Sequence, residues 1–257
     1  MTQDFYRPGT SLIHRWNPVT TLSLSLTLVV TAFASQALWL PAALLVFVVF
    51  PAALVSGVFR RLLAWLARFL LPVILLLFVI QGLYHQDGPL LDLGPVGVHL
   101  DGVLFATRTA LRLLVLTGAF LLLLFTTHPG ELMTALVAHG MPPKISYLVS
   151  ATMQIVPAFR QRAHSILDAQ RARGLRTAAG PIGRVRALVP LVGPLVLGAL
   201  SEVDERAVAM EARAFGATTR RTSYTVIADS AAQRVSRWSM LVITIAVIVL
   251  SATGVIR

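Results

Sequence analysis

The sequence contains a run of 44 residues, from Trp16 to Phe59, without a single Asp, Glu, Lys, Arg or His. One membrane-spanning helix needs about 20 apolar residues, so the run predicts two spans. We divide it at the polar pair Ser35-Gln36 into one span over 18–34 and another over 37–56, joined by a tight turn. A chain with such a run is expected to use a lipid bilayer as its solvent, which excludes an ordinary soluble fold.

Three more spans follow from further uncharged or nearly uncharged stretches, over 62–83, 103–127 and 238–256. The composition agrees, because only 13% of the residues are charged, whereas a soluble domain carries about a quarter. The sequence therefore predicts an all-α fold, a polytopic membrane helical bundle of about five spans. Whether the apolar stretch 187–201, which is interrupted by prolines, also enters the membrane stays open.

The loop charges predict the orientation of the bundle. The ends of the first three spans that carry His14, Arg15, Arg60, Arg61 and Arg68 are basic, while the loop 84–102 has neither Lys nor Arg. Basic loops stay in the cytoplasm, so we place the N-terminus there. Three regions result: an N-terminal transmembrane bundle of about four spans over 1–127, a cytoplasmic helical domain over 128–237, and a C-terminal transmembrane helix over 238–257.

Two arginines lie inside the fourth span. Arg108 and Arg112 are four residues apart and share one face of the predicted helix. Charges at this depth usually face the interior of a bundle or extend toward its edge. We therefore expect this face to contact protein or to lie close to the membrane surface.

The residue patterns of the common enzymes are missing from the chain. It has no cysteine, and its only lysine, Lys144, lies outside any Gly-x-x-x-x-Gly-Lys phosphate loop. The histidines show no His-Glu-x-x-His spacing. His85, Asp87, His99 and Asp101 share the external loop, where we expect them to face water and not a metal. The chain is expected to be non-catalytic, without catalytic or metal-binding residues or a cofactor of its own, so that its energy comes from a partner.

Two amphipathic helices are predicted in the cytoplasmic domain, over about 157–174 and 200–216. In the first, the stripe residues recur every three or four positions: Ile155, Phe159, Ala163, Ile166 and Gln170. In the second they are Leu200, Val203, Ala207, Met210 and Ala214, and Glu202 lies four residues before Arg206. We expect Val203, Ala207 and Met210 to pack across the first helix near 155–166.

Both helices end on the same short pattern, Ala172-Arg173-Gly174 and Ala212-Arg213-Ala214. An arginine between small residues at a helix end enters a groove of a partner without steric obstruction, and its planar fork binds carboxylates or carbonyls there. The plainer interpretation is that each arginine complements the dipole of its own helix.

Nearly the whole chain resembles the T component of energy-coupling factor (ECF) transporters. The resemblance rests on the stretch Ala169-Gln170-Arg171-Ala172-Arg173-Gly174, on Ala209-Met210-Glu211-Ala212-Arg213-Ala214-Phe215-Gly216, and on the opening Tyr6-Arg-Pro-Gly-Thr-Ser-Leu-Ile-His14-Arg15-Trp-Asn17-Pro18. Two positions depart from the family's pattern. Val19-Thr20-Thr21 stands where a basic residue is frequent, and the second motif ends in Ala214 instead of glycine.

The resemblance implies the membrane scaffold of an ABC importer for a vitamin or a transition-metal ion. Two cytoplasmic ABC ATPases bind the ATP and Mg²⁺, and a small membrane S component binds the substrate. Arg173 and Arg213, with Ala172, Gly174, Ala212 and Ala214 as small neighbours, are then the residues that dock into the two ATPases. The location implied is a bacterial or archaeal cell membrane. The substrate is not determined by this chain, because specificity resides in the S component.

Two other functions compete with this interpretation. The excess of 22 basic over 11 acidic residues also suits a membrane protein that binds anionic lipid. A nucleic-acid partner is not expected, since the region 128–237 also holds seven acidic residues and lacks interleaved aromatic residues. A self-sufficient, non-ABC transporter would require acidic residues inside the spans, and the main spans have none.

Overall fold

The computed structural model describes residues 11, 13–84, 90–92, 97–174, 181–215 and 227–254. Several predicted features lie wholly or partly outside these residues. They are the first five positions of the opening motif and its Leu12, His85 and Asp87 of the predicted external loop, Gly216 at the end of the second amphipathic helix, and the last two residues of the final span.

Helices make up nearly all of the described chain, which confirms the predicted all-α membrane fold. They are numbered here in chain order: α1 (Pro18–Ala34), α2 (Trp39–Val55), α3 (59–84), α4 (Leu100–Thr126), α5 (Pro129–Ala138), α6 (Pro143–Ala172), α7 (Pro181–Ala212) and α8 (Ala231–Ala252). Between α3 and α4, two short strands pair antiparallel, β1 (Leu90–Asp92) and β2 (Gly97–His99), with Leu90 opposite His99.

The predicted spans correspond to five of these helices. Three are long and apolar enough to cross a membrane, over Phe59–Gly82, Leu100–Thr126 and Ala231–Ala252, and α1 and α2 are shorter apolar helices of 17 residues each. The stretch 187–201, left open by the sequence, lies within the single continuous helix α7.

Prolines modify two of the membrane helices without ending them. A π-helical segment, Leu45–Val49, precedes Pro51 in α2, and another, Leu66–Leu70, precedes Pro72 in α3. Proline has no N–H to donate to the preceding turn, and a wider π turn is one of the adjustments by which membrane helices accommodate it.

Helix α4 lies at the centre of the membrane bundle. It packs against α1, α2 and α3, and the fully buried side chains of Val115, Leu122 and Phe125 join the core formed with those helices. Gly118 allows α2 to approach closely, because a Cβ at this position would lie 3.0 Å from Cγ1 of Val49. The core therefore depends on a small residue in the middle of α4.

Arg112 faces protein, as its position in the span predicted. Its guanidinium donates a hydrogen bond to the carbonyl oxygen of Ser35, in the turn between α1 and α2, and lies 5.9 Å from the ring centroid of Phe33. Ser35 is fully buried. Non-helical backbone at membrane depth must find its partners within the protein, and Arg112 supplies one for this turn.

Helix α8 is bound to α1 at both ends. At one end, Arg237 donates to Thr20 Oγ1 at 3.1 Å and to Asp229 Oδ2 at 2.7 Å, while Gln233 Oε1 accepts from the backbone N–H of Asn17 at 3.0 Å. At the other end, the hydroxyl of Ser251 donates to the carbonyl of Ala34 at 2.6 Å. The two helices are thus held in register along their whole length.

The chain divides into two compact units. The first, called here the membrane unit, contains 3–135 and 227–257, and the second, the helical unit, contains most of the rest, 136–226. The last turns before residue 238 therefore belong with the membrane helices. The cytoplasmic location of 128–237 stays a prediction.

Candidate functional site

The first amphipathic helix is longer than predicted. It begins at Pro143 and passes through Pro157, where the sequence suggested a start. Pro157 is exposed, so its ring lies on the outer side of the helix. The backbone hydrogen bond that proline cannot donate is lost on the same side. The predicted stripe is confirmed, since five half-buried residues follow one side of α6: Ile155, Phe159, Ala163, Ile166 and Gln170.

The end of α6 places Arg173 at the C-cap position, just after Ala172. Gly174 follows with a φ of +92°, a left-handed conformation that glycine adopts at little cost. Its N–H donates to the carbonyl of Arg171 at 2.9 Å. Ala172, Arg173 and Gly174 are all exposed, so the arginine stands free at the end of the helix.

The end of α7 repeats this arrangement. Arg213 follows the last helical residue, Ala212, and Ala214 has a φ of +53°. The N–H of Phe215 donates to the carbonyl of Met210, and that of Ala214 to Glu211, both at 2.9 Å. These two bonds form a Schellman motif. Arg213 therefore occupies the C-cap position, as Arg173 does in α6, and Ala212, Arg213 and Ala214 are exposed.

A left-handed residue after a helix is common in this chain, but alanine there is not. Gly57, Gly140 and Gly254 also have positive φ. Within the described ranges, Ala214 is the one residue other than glycine with a positive φ. A methyl group in this conformation costs energy, so the second arginine motif keeps its shape despite an unfavourable residue.

Helices α6 and α7 pack against each other through a polar contact. Glu202 of α7 accepts from Arg162 of α6 at 3.2 Å and from Arg206, one turn further along α7, at 2.6 Å. The predicted pair of Glu202 and Arg206 is confirmed, whereas the link to Arg162 was not expected, because periodicity does not tell which residue lies opposite on another helix.

A second contact joins the two helices further along. The ring centroid of Tyr147, near the start of α6, lies 5.1 Å from that of Phe215. Phe215 directly follows the Arg213 motif. This pairing was not predicted from the sequence, because no spacing rule relates positions so far apart in the chain.

Electrostatics at the crossing favour the charged forms. The hydrogen bond from Arg206 holds the pKa of Glu202 below its usual value, and the positive charges of Arg206 and Arg162 act in the same direction. The same hydrogen bond raises the pKa of Arg206, with a further contribution from Tyr147. Glu202 is therefore ionised throughout the neutral range.

The predicted packing residues of α7 lie in two environments. Ala207 and Met210 are half-buried, while Val203 is 60% exposed. The observed contact with α6 runs through the neighbouring positions Glu202 and Arg206, and so Val203 lies outside it. The packing role of these three residues stays a prediction. The outer face of α7 exposes further large apolar side chains: Val192, Val196, Leu197, Leu200 and Val208.

The described part of the chain holds no cluster of three or more His, Asp or Glu side chains suited to a metal ion. The candidate site offers two exposed guanidinium groups, those of Arg173 and Arg213, at the ends of α6 and α7. Each offers up to five N–H donors in a planar fork to an acceptor on a partner.

The chain was compared with known proteins. It matches the family CbiQ, described as Cobalt transport protein, over residues 9–224. The energy-coupling factor transporter transmembrane protein EcfT of Exiguobacterium sibiricum is 31% identical over 225 residues, covering 84% of this chain and 85% of that protein. EcfT of Bacillus subtilis is 30% identical over 229 residues, with 85% and 86% covered. EcfT of Thermosediminibacter oceani is 29% identical over 231 residues, with 84% and 85% covered.

The match to the family model covers the first four membrane helices, α1 to α4, and the two arginine motifs. Its extent agrees with the helical membrane fold and with the paired helix ends described above. The chain therefore belongs to the CbiQ family and is the transmembrane T component of an energy-coupling factor transporter.

Proposed function

We propose that this chain couples ATP hydrolysis by two cytoplasmic ABC ATPases to uptake of a vitamin or a transition-metal ion bound by a separate S component. Arg173 and Arg213 dock into the two ATPases, which bind ATP and Mg²⁺. The membrane helices hold the S component. The observation that carries the proposal is that two separate helices end in the same exposed arginine conformation.

The spacing of the two arginines supports docking to two partners. Arg173 lies 11 residues beyond Arg162, and Arg213 lies 11 residues beyond Glu202, the two residues that pair at the crossing. At 1.5 Å per residue, each arm is about 16 Å long. The helices run in opposite senses, because Tyr147 meets the later residue Phe215 while Arg162 meets the earlier Glu202. The arms thus point to opposite sides of the crossing.

A pair of equal arms suits two similar partners better than one. Two guanidinium groups up to about 30 Å apart along the helices are too far apart to enter one groove together. Two ATPases offer a separate groove for each arginine. The small residues at 172 and 212, together with Gly174 and Ala214, leave each fork unobstructed.

The proposed location is a bacterial or archaeal cell membrane with the N-terminus in the cytoplasm. Basic residues at the proposed cytoplasmic end support this orientation, since Arg61 lies 4.9 Å from the ring centroid of Phe125 at the end of α4. Arg237 binds Thr20 at the start of α1, at the same end of the bundle. Basic residues concentrate on the cytoplasmic side of membrane proteins.

The test is to reconstitute the complete transporter with Arg173→Ala, with Arg213→Ala and with both changes. A hydrogen bond to a charged group is worth about 1.5 to 3 kcal/mol, so each single variant should show roughly tenfold lower uptake, and the double variant almost none. Arg160→Ala, an exposed arginine of α6 outside the motif, is the matched control and should transport normally.

Wild-type uptake by the double variant contradicts the proposal. So does a purified wild-type complex without ATPase subunits. Substitution of lysine at the two positions refines the result, because lysine keeps the charge and loses the planar fork. We expect the lysine variants to recover only part of the activity.

A further inference from the structure

The crossing of α6 and α7 has little apolar burial to hold it. Of the described apolar side chains of the helical unit, only Ala151 and Leu191 are buried. Val203 and Leu200, on either side of Glu202, are 60% and 57% exposed. Helices in water normally associate by burying apolar surface, so polar contacts carry an unusual share of this one.

Glu202 is the centre of those polar contacts. Its two oxygens accept from different arginines, Oε2 from Arg162 and Oε1 from Arg206. Its side chain is 24% exposed, less than that of either arginine. A carboxylate that accepts from both helices restricts sliding and rotation of one relative to the other, since each bond requires its own geometry.

The surface of α7 is shaped to admit the arginine of α6. Gly198 lies one turn before Glu202, and a Cβ at this position would lie 3.2 Å from Nη1 of Arg162. A side chain at this position would therefore require the guanidinium to shift by a few tenths of an ångström. Because glycine weakens a helix interior, its presence here is explained by the room it leaves.

The contact between α6 and α7 also extends to the arginine motif at the end of α7. Arg206, which binds Glu202, also interacts electrostatically with Tyr147, which raises the pKa of Arg206, and the ring of Tyr147 packs on Phe215. Phe215 donates the backbone bond to Met210 that closes the turn around Arg213. Interactions thus extend from Arg162 and Glu202 to the residue after the Ala212-Arg213-Ala214 turn.

We propose that Glu202 is a positioning residue that, by binding Arg162 and Arg206 together, fixes the distance between the Arg173 and Arg213 helix ends and makes them move as one body. A displacement of one end by its partner is then passed to the other. This role deepens the proposed coupling function and rests on it. The contact of Glu202 with Arg162 and Arg206, called the brace here, is a property of the isolated chain.

The first experiment measures the distance between the helix ends in the full chain in lipid nanodiscs. The chain has no cysteine, so spin labels at Ala169→Cys and Val208→Cys, both exposed, report that distance by double electron–electron resonance. Glu202→Gln should broaden the distance distribution. Reversal of all three charges, with Arg162→Glu, Glu202→Arg and Arg206→Glu, should narrow it again.

The matched control is Asp168→Asn. This change also removes one carboxylate near a coupling motif, but Asp168 pairs with Arg171 on the same helix at 3.2 Å, so the distribution should not change. An unchanged distribution in Glu202→Gln, equal broadening in Asp168→Asn, or failure of the charge reversal to narrow the distribution each overturns the brace.

The second experiment measures transport per ATP hydrolysed in the reconstituted transporter. Glu202→Gln should lower this ratio roughly two- to fivefold, the factor that corresponds to an exposed ion pair, while Asp168→Asn leaves it unchanged. A normal ratio alongside a broadened distribution overturns the positioning role. If the wild-type chain binds no ATPase, the coupling function fails while the spectroscopic result on the brace still stands.

Discussion

The left-handed conformation of Ala214 provides a sharp test of the local structure at the two arginine motifs. Its φ is +53°, whereas the equivalent residue of the other motif is Gly174 at +92°. We predict that Ala214→Gly stabilises the end of α7 and that Gly174→Ala destabilises the end of α6. The two changes exchange the same pair of residues between two helix ends of the same type.

The magnitude follows from two opposing terms. Alanine in the left-handed region costs roughly 1–2 kcal/mol, and glycine there avoids this cost. Glycine in turn loses more freedom on folding, which costs roughly 0.5–1 kcal/mol. Ala214 is exposed, so loss of its methyl group forfeits little packing. The net gain is about 0.5–1 kcal/mol, a factor of roughly two to five in the local equilibrium.

Steric conflict does not complicate the reverse change. A Cβ at Gly174 would have no heavy atom within 4 Å, so backbone strain alone decides its effect. The φ of +92° lies further from the left-handed minimum near +57° than that of Ala214. Gly174→Ala should therefore cost at least as much as Ala214→Gly gains.

Hydrogen–deuterium exchange of the full chain measures both effects. The reporting amides are those of residue 214, bonded to Glu211, and Phe215, bonded to Met210, in one motif, and of residue 174, bonded to Arg171, in the other. After correction for intrinsic rates, Ala214→Gly should slow exchange roughly two- to fivefold, and Gly174→Ala should accelerate it by a similar factor. Faster exchange in Ala214→Gly, or no change in Gly174→Ala, refutes the assignment of left-handed conformations.

Three further predictions concern other contacts. Gly118→Ala should reduce stability by about 1–3 kcal/mol and so lower the unfolding midpoint, because the new Cβ meets Val49 at 3.0 Å. Val49→Ala should restore part of this loss in the double variant. Arg237→Ala removes the hydrogen bond to Thr20 and should loosen the attachment of α8 to α1. The yield of a cysteine crosslink between α1 and α8 should therefore fall, and an unchanged yield contradicts this prediction. The pKa of Glu202 is below its ordinary value of 4.5. The contact of Glu202 with Arg162 and Arg206 therefore contributes stability above pH 4.5, and this contribution is lost as the pH falls through the lowered pKa. Spin-label distances that already change between pH 7 and 5 contradict this prediction.

Much of the membrane architecture could be predicted from the order of residues, because a bilayer imposes a simple requirement. A run such as 16–59 without charges finds a favourable environment only in hydrocarbon, and its length determines the number of spans. The first predicted span, 18–34, agrees with α1 residue for residue. The reason is local, since Asn17 caps the helix through the N–H of Val19, and Pro18 occupies the first turn.

Proline misled the prediction where context overrode local preference. The residue pattern predicts a helix start at Pro157, but α6 runs through it from Pro143. A proline inside a helix removes one hydrogen bond, and on an exposed face this cost is tolerated. The sequence shows the residue but not whether its surroundings are crowded.

The positions of the apolar spans, the stripe from Ile155 to Gln170 and the two arginine motifs follow from the order of residues, since these features depend on composition and on spacings within a single helix. The pairing of residues across helices emerges only from the three-dimensional packing. Glu202 pairs with Arg162 40 positions away, and Arg237 with Thr20 217 positions away. Helical periodicity assigns a residue to a face, but the partner on the other side depends on how two helices cross, and packing of the whole chain settles that angle.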